Sequence, residues 1–120
     1  MRRLAYADQK ERRMSIEILG LKNCDTCRKA LRALPGATLH DVRDAPLSPA
    51  EIAALVAAFP DAILNKASTT WRGLSEGERA ADPAALLAAH PALMKRPIIR
   101  AGDQTYLGWK PDVRAALGVD

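Results

Sequence analysis

One stretch leaves this chain few choices of fold. A short β-branched apolar run, Ile16 to Leu21, passes through Lys22-Asn23-Cys24-Asp25-Thr26-Cys27 directly into a helical pattern. Cys27, Ala30, Leu31 and Leu34 recur at i, i+3, i+4 and i+7, which is one face of an α-helix. Cys24 therefore stands at a strand-to-helix junction, where the first backbone N–H groups of the helix are unpaired and the macrodipole leaves partial positive charge. Both stabilise a thiolate. Lys22 and Arg28 add positive charge and Asp25 opposes it, so Cys24 is expected to ionise more readily than an ordinary cysteine. The second thiol, one turn on, can attack a mixed disulfide formed at the first. The stretch reads as a redox or thiol active site. Two other readings stand beside it. Half a zinc site needs more ligands, but there is no second cysteine pair, and His40 and His90 lack ligand spacing, so no metal is expected. Inert core cysteines are the other, because free cysteine packs as a small apolar residue.

At 120 residues with 48% hydrophobic content, the chain can build one compact domain but not two. No apolar run of about 18 residues and no signal-peptide h-region occur, so a soluble, cytoplasmic protein is expected, away from membranes. In that compartment a Cys-x-x-Cys pair is more often catalytic or redox-sensing than a permanent staple. The net charge of +4 is concentrated: residues 1–13 hold five cations against two acids. Basicity thus belongs to an N-terminal extension, and aromatics that could stack on bases are nearly absent, so nucleic acid is not an expected partner. The expected division is a flexible basic extension over 1–13 and a single domain over 14–120, with Met14 a second candidate start.

Ser15–Leu21 reads as the first strand and the helix after it stops near Leu34, before Pro35-Gly36. Residues 37–42 form a second strand, completing a βαβ unit. Ser48-Pro49-Ala50-Glu51 is a capping box, followed by Ile52, Leu55, Val56 and Phe59 at helical spacing. Residues 62–74 lack clean periodicity and predict a short helix and a loop. Ser75-Glu76-Gly77-Glu78 opens another short helix, and Asp82-Pro83 caps a third that runs to about His90. Residues 98–100 and 104–107 read as a hairpin around Ala101-Gly102-Asp103, and Lys110-Pro111-Asp112 starts a last helix that buries Val113, Ala116 and Leu117. The expected fold is α/β and thioredoxin-like: a four-stranded mixed sheet with a helical insertion between βαβ and ββα units.

Three separated motifs now carry a resemblance. They are Leu21-Lys22-Asn23-Cys24-Asp25-Thr26-Cys27-Arg28-Lys29-Ala30, Leu64-Asn65-Lys66 with Thr69-Thr70-Trp71-Arg72, and the run from His90 to Ile98. Together they resemble the arsenate reductase-like family, which includes glutaredoxin-coupled arsenate reductases (ArsC), YffB-type proteins and Spx transcription regulators. The resemblance runs from Ser15 to the last helix. It implies that Cys24 is the nucleophile, with Cys27 as its redox partner and Arg96 as a catalytic arginine before a cis-proline, Pro97. Two oxyanion-binding arginines of family arsenate reductases correspond to Asn65 and Lys110 here, and their histidine four residues before the cysteine corresponds to Gly20. One cation is absent and another lacks the planar fork of arginine, which weighs against arsenate. The Asn65-Lys66 and Thr69-Thr70-Trp71-Arg72 pattern is more similar to the YffB-type branch, whose members look like glutathione-dependent thiol reductases.

The resemblance thus implies a glutathione-dependent thiol–disulfide oxidoreductase, with Asn65, Lys66, Trp71, Arg72, Pro97 and Lys110 lining the substrate site. Glutathione would be a co-substrate rather than a bound cofactor. Glutaredoxin or thioredoxin are the other candidate reductants, and a mixed disulfide or a small oxyanion the substrate of a monomeric enzyme. A glutaredoxin-coupled arsenate reductase and an Spx-like redox-sensing regulator are the alternatives. Plainer readings also exist for single residues: Arg96 as a surface cation, Trp71 as packing, Lys110 in a solvated turn and Asn65 as a helix cap.

Overall fold

The computed structural model describes residues 16–119, so the expected basic extension lies outside the described residues. In chain order the elements are β1 (Ile16–Gly20), α1 (Asp25–Ala33), β2 (Thr38–Asp41), α2 (Pro49–Ala58), α3 (Thr69–Arg72), α4 (Glu76–Arg79) and α5 (Pro83–Ala89). A 3-10 turn (Pro91–Leu93), β3 (Ile98–Ala101), β4 (Gln104–Leu107) and α6 (Pro111–Ala116) follow. They group into two compact units, a sheet unit of residues 16–41 with 96–119 and a helical unit of residues 42–95.

The sheet unit is a four-stranded mixed sheet in the order β2-β1-β3-β4. β1 runs parallel to β2 and antiparallel to β3, which pairs antiparallel with β4. This is the thioredoxin-like α/β arrangement. Alternation along the strands decides what each face carries. Ile16 and Ile18 of β1 join Ile99 and Ala101 of β3, Ala30 and Leu34 at α1, and Val113 of α6 in one buried cluster. Glu17 takes the other face, in register with Arg100. There Arg100 donates through Nε to Glu17 Oε1 at 3.0 Å, and His40 Nδ1 stands 3.4 Å from Glu17 Oε2. The hairpin turn is tighter than the sequence predicts: Ala101 is the last residue of β3 and is buried, and Gly102 opens the turn at φ 62°, in the left-handed region. In α6 the predicted face is partly wrong. Val113 is buried and Leu117 packs on the cluster, but Ala116 is exposed, because the helix ends there and the chain turns away through Gly118.

The helical unit is shaped by local signals. Ser48 Oγ accepts from the Glu51 N–H at 3.1 Å and Glu51 Oε1 accepts from the Ser48 N–H at 3.0 Å, with Pro49 first in α2. Ser75 and Glu78 repeat the box at α4, at 3.1 and 2.9 Å. Ser68 caps α3 through the Trp71 N–H. Asp82 stands at the N-cap of α5 as expected, yet its side chain makes no capping bond; Pro83 supplies the start instead. Leu64 bridges Met94, and the flanking bonds Asn65 N–H to Leu93 O (2.8 Å) and Lys95 N–H to Ile63 O (2.7 Å) tie the unit's middle to its end.

Candidate active site

β1 ends at Gly20, and the chain turns through residues 21–24 into α1. The Cys24 N–H donates to Leu21 O at 3.1 Å, and Cys24 O accepts the first helical bond from the Arg28 N–H at 3.0 Å. Cys24 is thus the N-cap of α1, in extended conformation (φ −90°, ψ 119°), and its Sγ accepts from the Cys27 N–H at 3.4 Å. A sulfur takes the place where serine or aspartate oxygen is the usual cap. Two further bonds hold the turn: the Lys22 N–H donates to Asp41 Oδ2 at 2.9 Å and Arg28 Nε to Lys22 O at 2.8 Å.

The two sulfurs are pushed in opposite directions. Partial burial alone would raise the Cys24 pKa, but donation from the Cys27 thiol and backbone N–H, with a hydrogen bond and charge from Arg96, outweighs it, and the net shift is below the ordinary 9.0. Burial is the main reason the Cys27 thiol is pushed up to about 12; the neighbouring Cys24 adds to the rise, against lowering contributions from the Leu21 backbone and Arg96. Cys27 is 0% exposed, whereas Cys24 is half-buried. One sulfur is therefore reachable and anion-favouring, and the other is enclosed and held as a thiol. The cation that acts on Cys24 is Arg96. It is not Arg28, whose guanidinium turns back to a loop carbonyl.

Arg96 precedes Pro97 through a cis peptide bond, and Pro97 is buried with its carbonyl accepting from the Gly108 N–H at 2.7 Å. The structure thus brings together Cys24, Cys27 and Arg96. Lys110 is exposed at the N-cap of α6 and makes no side-chain capping bond. The remaining candidates belong to the helical unit. Asn65 closes a turn: its Oδ1 accepts from the Ala67 N–H at 3.2 Å, while its carbonyl accepts from Ser68 Oγ at 2.8 Å. The plainer reading of Asn65 as a helix cap does not hold: Ser68 caps the helix, and Asn65 closes the turn before it.

Trp71 is half-buried, and its ring is flanked by Lys66 Nζ at 5.6 Å and Arg79 Cζ at 5.5 Å from the centroid. Arg79 also donates to the carbonyls of Trp71 and Arg72, each at 3.2 Å. Arg79 was not legible as a partner of Trp71. The only sequence signal was its place one residue after the Ser75–Glu78 box. An apolar cavity of about 320 Å³ lies within the helical unit between Leu47, Ile52, Leu55, Leu87 and Met94, and none of the candidate residues lines it. Among the described residues no three His, Cys, Asp or Glu side chains cluster to hold a metal ion. No helix among them is long and apolar enough to cross a membrane.

Fold and site together define a class: thioredoxin-like α/β redox proteins with a near cysteine pair where the first strand meets the first helix. A model described as the ArsC family matches residues 19–117, and the chain belongs to that family. It is 34% identical over 103 residues to an uncharacterized protein of Haemophilus influenzae, covering 78% of this chain and 90% of that one. Among solved structures it is similar to the YFFB (PA3664) protein, at 31% identity and TM-score 0.78, covering 86% of this chain and 98% of that one. An arsenate reductase (ArsC) related protein from Brucella melitensis is 33% identical with TM-score 0.67, covering 85% and 92%.

Proposed function

We propose that this chain is a glutathione-dependent thiol–disulfide oxidoreductase with Cys24 as nucleophile. The observation that carries the reading is the half-buried Cys24 sulfur at the N-cap of α1, its anion favoured by donors from Cys27 and by Arg96. In the first step the Cys24 thiolate attacks the glutathione sulfur of a mixed disulfide. A Cys24–glutathione disulfide forms, and the substrate leaves as a thiolate, reduced by the electron pair. A second glutathione thiolate then attacks this intermediate, releasing oxidised glutathione and restoring the Cys24 thiolate. Cys27 can take the place of that second glutathione only after losing its proton, and a thiol held near pKa 12 does so rarely at neutral pH. Arg96 offsets negative charge in both steps. Glutathione is thus a co-substrate drawn from the cytoplasmic pool.

The helical-unit candidates carry no step in this scheme. A ring already flanked by Lys66 and Arg79 is a poor platform for a ligand.

A substrate panel tests the reading. Purified protein is offered a glutathione mixed disulfide or arsenate, with glutathione/glutaredoxin or thioredoxin as reductant. The expected result is turnover of the mixed disulfide with glutathione, falling at least about 100-fold in Cys24→Ser. Unchanged turnover in that variant would end the nucleophile assignment. Turnover of arsenate alone would replace the reading by an arsenate reductase, and binding to polymerase α-subunit without any effect of glutathione would favour a regulator.

A further inference from the structure

Gly20 is an ordinary strand residue by its backbone. It closes β1 in register with Asp41, and it is not among the glycines with positive φ. Nothing in its conformation demands glycine, and glycine inside a strand is a destabilising choice unless something approaches closely. Something does. A Cβ at position 20 would lie 2.3 Å from Sγ of Cys27 and 3.4 Å from its Cβ. Carbon and sulfur do not share 2.3 Å without a bond, since favourable heavy-atom contacts begin near 3.5 Å. The space that any other residue would fill with its first carbon is filled here by the Cys27 sulfur.

We propose that Gly20 is a positioning residue of the cysteine pair: by lacking a Cβ it provides the volume that seats Sγ of Cys27 where this thiol donates to the sulfur of Cys24. The offending atom ends a side chain with one rotatable bond, so a methyl group at position 20 turns the thiol away from its seat rather than moving the strand. The donor to Cys24 is then lost although both cysteines remain. A side chain at 20 and a thiol seated at 27 exclude one another. This deepens the thiol-nucleophile reading of Cys24 and rests on it.

The experiment is a double-mutant cycle read by the pH profile of Cys24 alkylation. The rate of carbamidomethylation by iodoacetamide is followed by peptide mass mapping in the wild type, Gly20→Ala, Cys27→Ala and the double variant. Gly20→Ala is expected to raise the midpoint of the profile by about one pH unit, the loss of one hydrogen bond to an anion. Cys27→Ala raises it by itself, and adding Gly20→Ala to that background is expected to change nothing further, since only ordinary carbon contacts remain, 3.4 Å to the Cβ at position 27 and 3.9 Å to Leu39 Cδ1. An unshifted midpoint in Gly20→Ala, or an equal shift in both backgrounds, overturns the proposal. Should Gly20→Ala fail to fold, a folded double variant supports the proposal and an unfolded one overturns it. A shifted midpoint in a protein that turns over no disulfide would sink the enzymatic reading and leave the role of Gly20 standing; turnover with an unmoved midpoint does the reverse.

Discussion

In the sheet unit Arg100 reaches Glu17 across 83 positions of sequence and Arg96 reaches the sulfur of Cys24. In the helical unit the bonds that fix the capping carboxylates close over three residues, Ser48 with Glu51 and Ser75 with Glu78. The same side chains serve different ends in the two places. Arg96 bears on a sulfur whose charge is the chemistry, while Arg79 and Lys66 are committed to an indole ring and to helix carbonyls. Positive charge in a sequence therefore says little until the strand order has decided what it faces. Where the bonds are non-local, one substitution alters chemistry and stability together; where they are local, it loosens one helical turn.

The sharpest way to break that contrast is alkaline unfolding. Cys27 has a folded-state pKa of about 12 against an ordinary 9.0, so the folded protein holds this proton more tightly than the unfolded chain does. Stability from this source is fully present below pH 9 and is lost as pH rises from 9 toward 12. A rise of about three units, each worth about 1.4 kcal/mol, puts the full loss on the order of 4 kcal/mol. Cys24 acts in the opposite sense: its lowered pKa gives stability that is present above pH 9 and is lost as pH falls through its own folded value. Urea unfolding at stepped pH should show the wild type losing stability above pH 9 more steeply than Cys27→Ala, by about 1.4 kcal/mol per unit. Parallel curves would mean that the enclosed thiol is not held as described.

A smaller effect tests the other side. Ser48→Ala removes the acceptor for the Glu51 N–H and is expected to cost about 1 kcal/mol. Amide exchange in the first turn of α2 should speed up about fivefold, while the Cys24 alkylation profile stays where it was. A shifted profile would show that the local helix start and the cysteine site are coupled after all.

What could be read from the sequence follows the same division. The Ser48 box, the Cys24 helix start and the succession of strands and helices along the chain were legible because the signals lie within a few residues or follow a period. Ala116 was misplaced because the spacing extends a face past the point where α6 ends. Asp82 was expected to cap by residue type, but with Pro83 in the first helical position its side chain makes no capping bond. Arg96 entered only through resemblance, since no spacing rule connects it to a cysteine in the first helix. Gly20 is the most instructive case. By comparison with arsenate reductases it looked like a missing histidine, and in the fold it is the space that Cys27 occupies. A glycine required by a distant sulfur leaves no local mark.

The smallest expected effect lies at Glu78, where the contrast is sharpest because the group is fully exposed. The Glu78 pKa is lowered from 4.5, first by the bond from the Ser75 backbone N–H and then by the Ser75 hydroxyl. The capping bond is therefore fully present above pH 4.5 and weakens as pH falls through the lowered value. Acid should lower the protection of the Ser75 amide, its exchange rate relative to the intrinsic rate at each pH, in the wild type. Glu78→Gln keeps an acceptor at the same place but has no proton to take up, so its Ser75 amide should lose the acid-dependent part of that fall in protection. Global stability should hardly move in either protein. If acid instead loosened β1 and β3 through this one carboxylate, the claim that the capping bonds of Glu51 and Glu78 act only on their own helix starts could not stand.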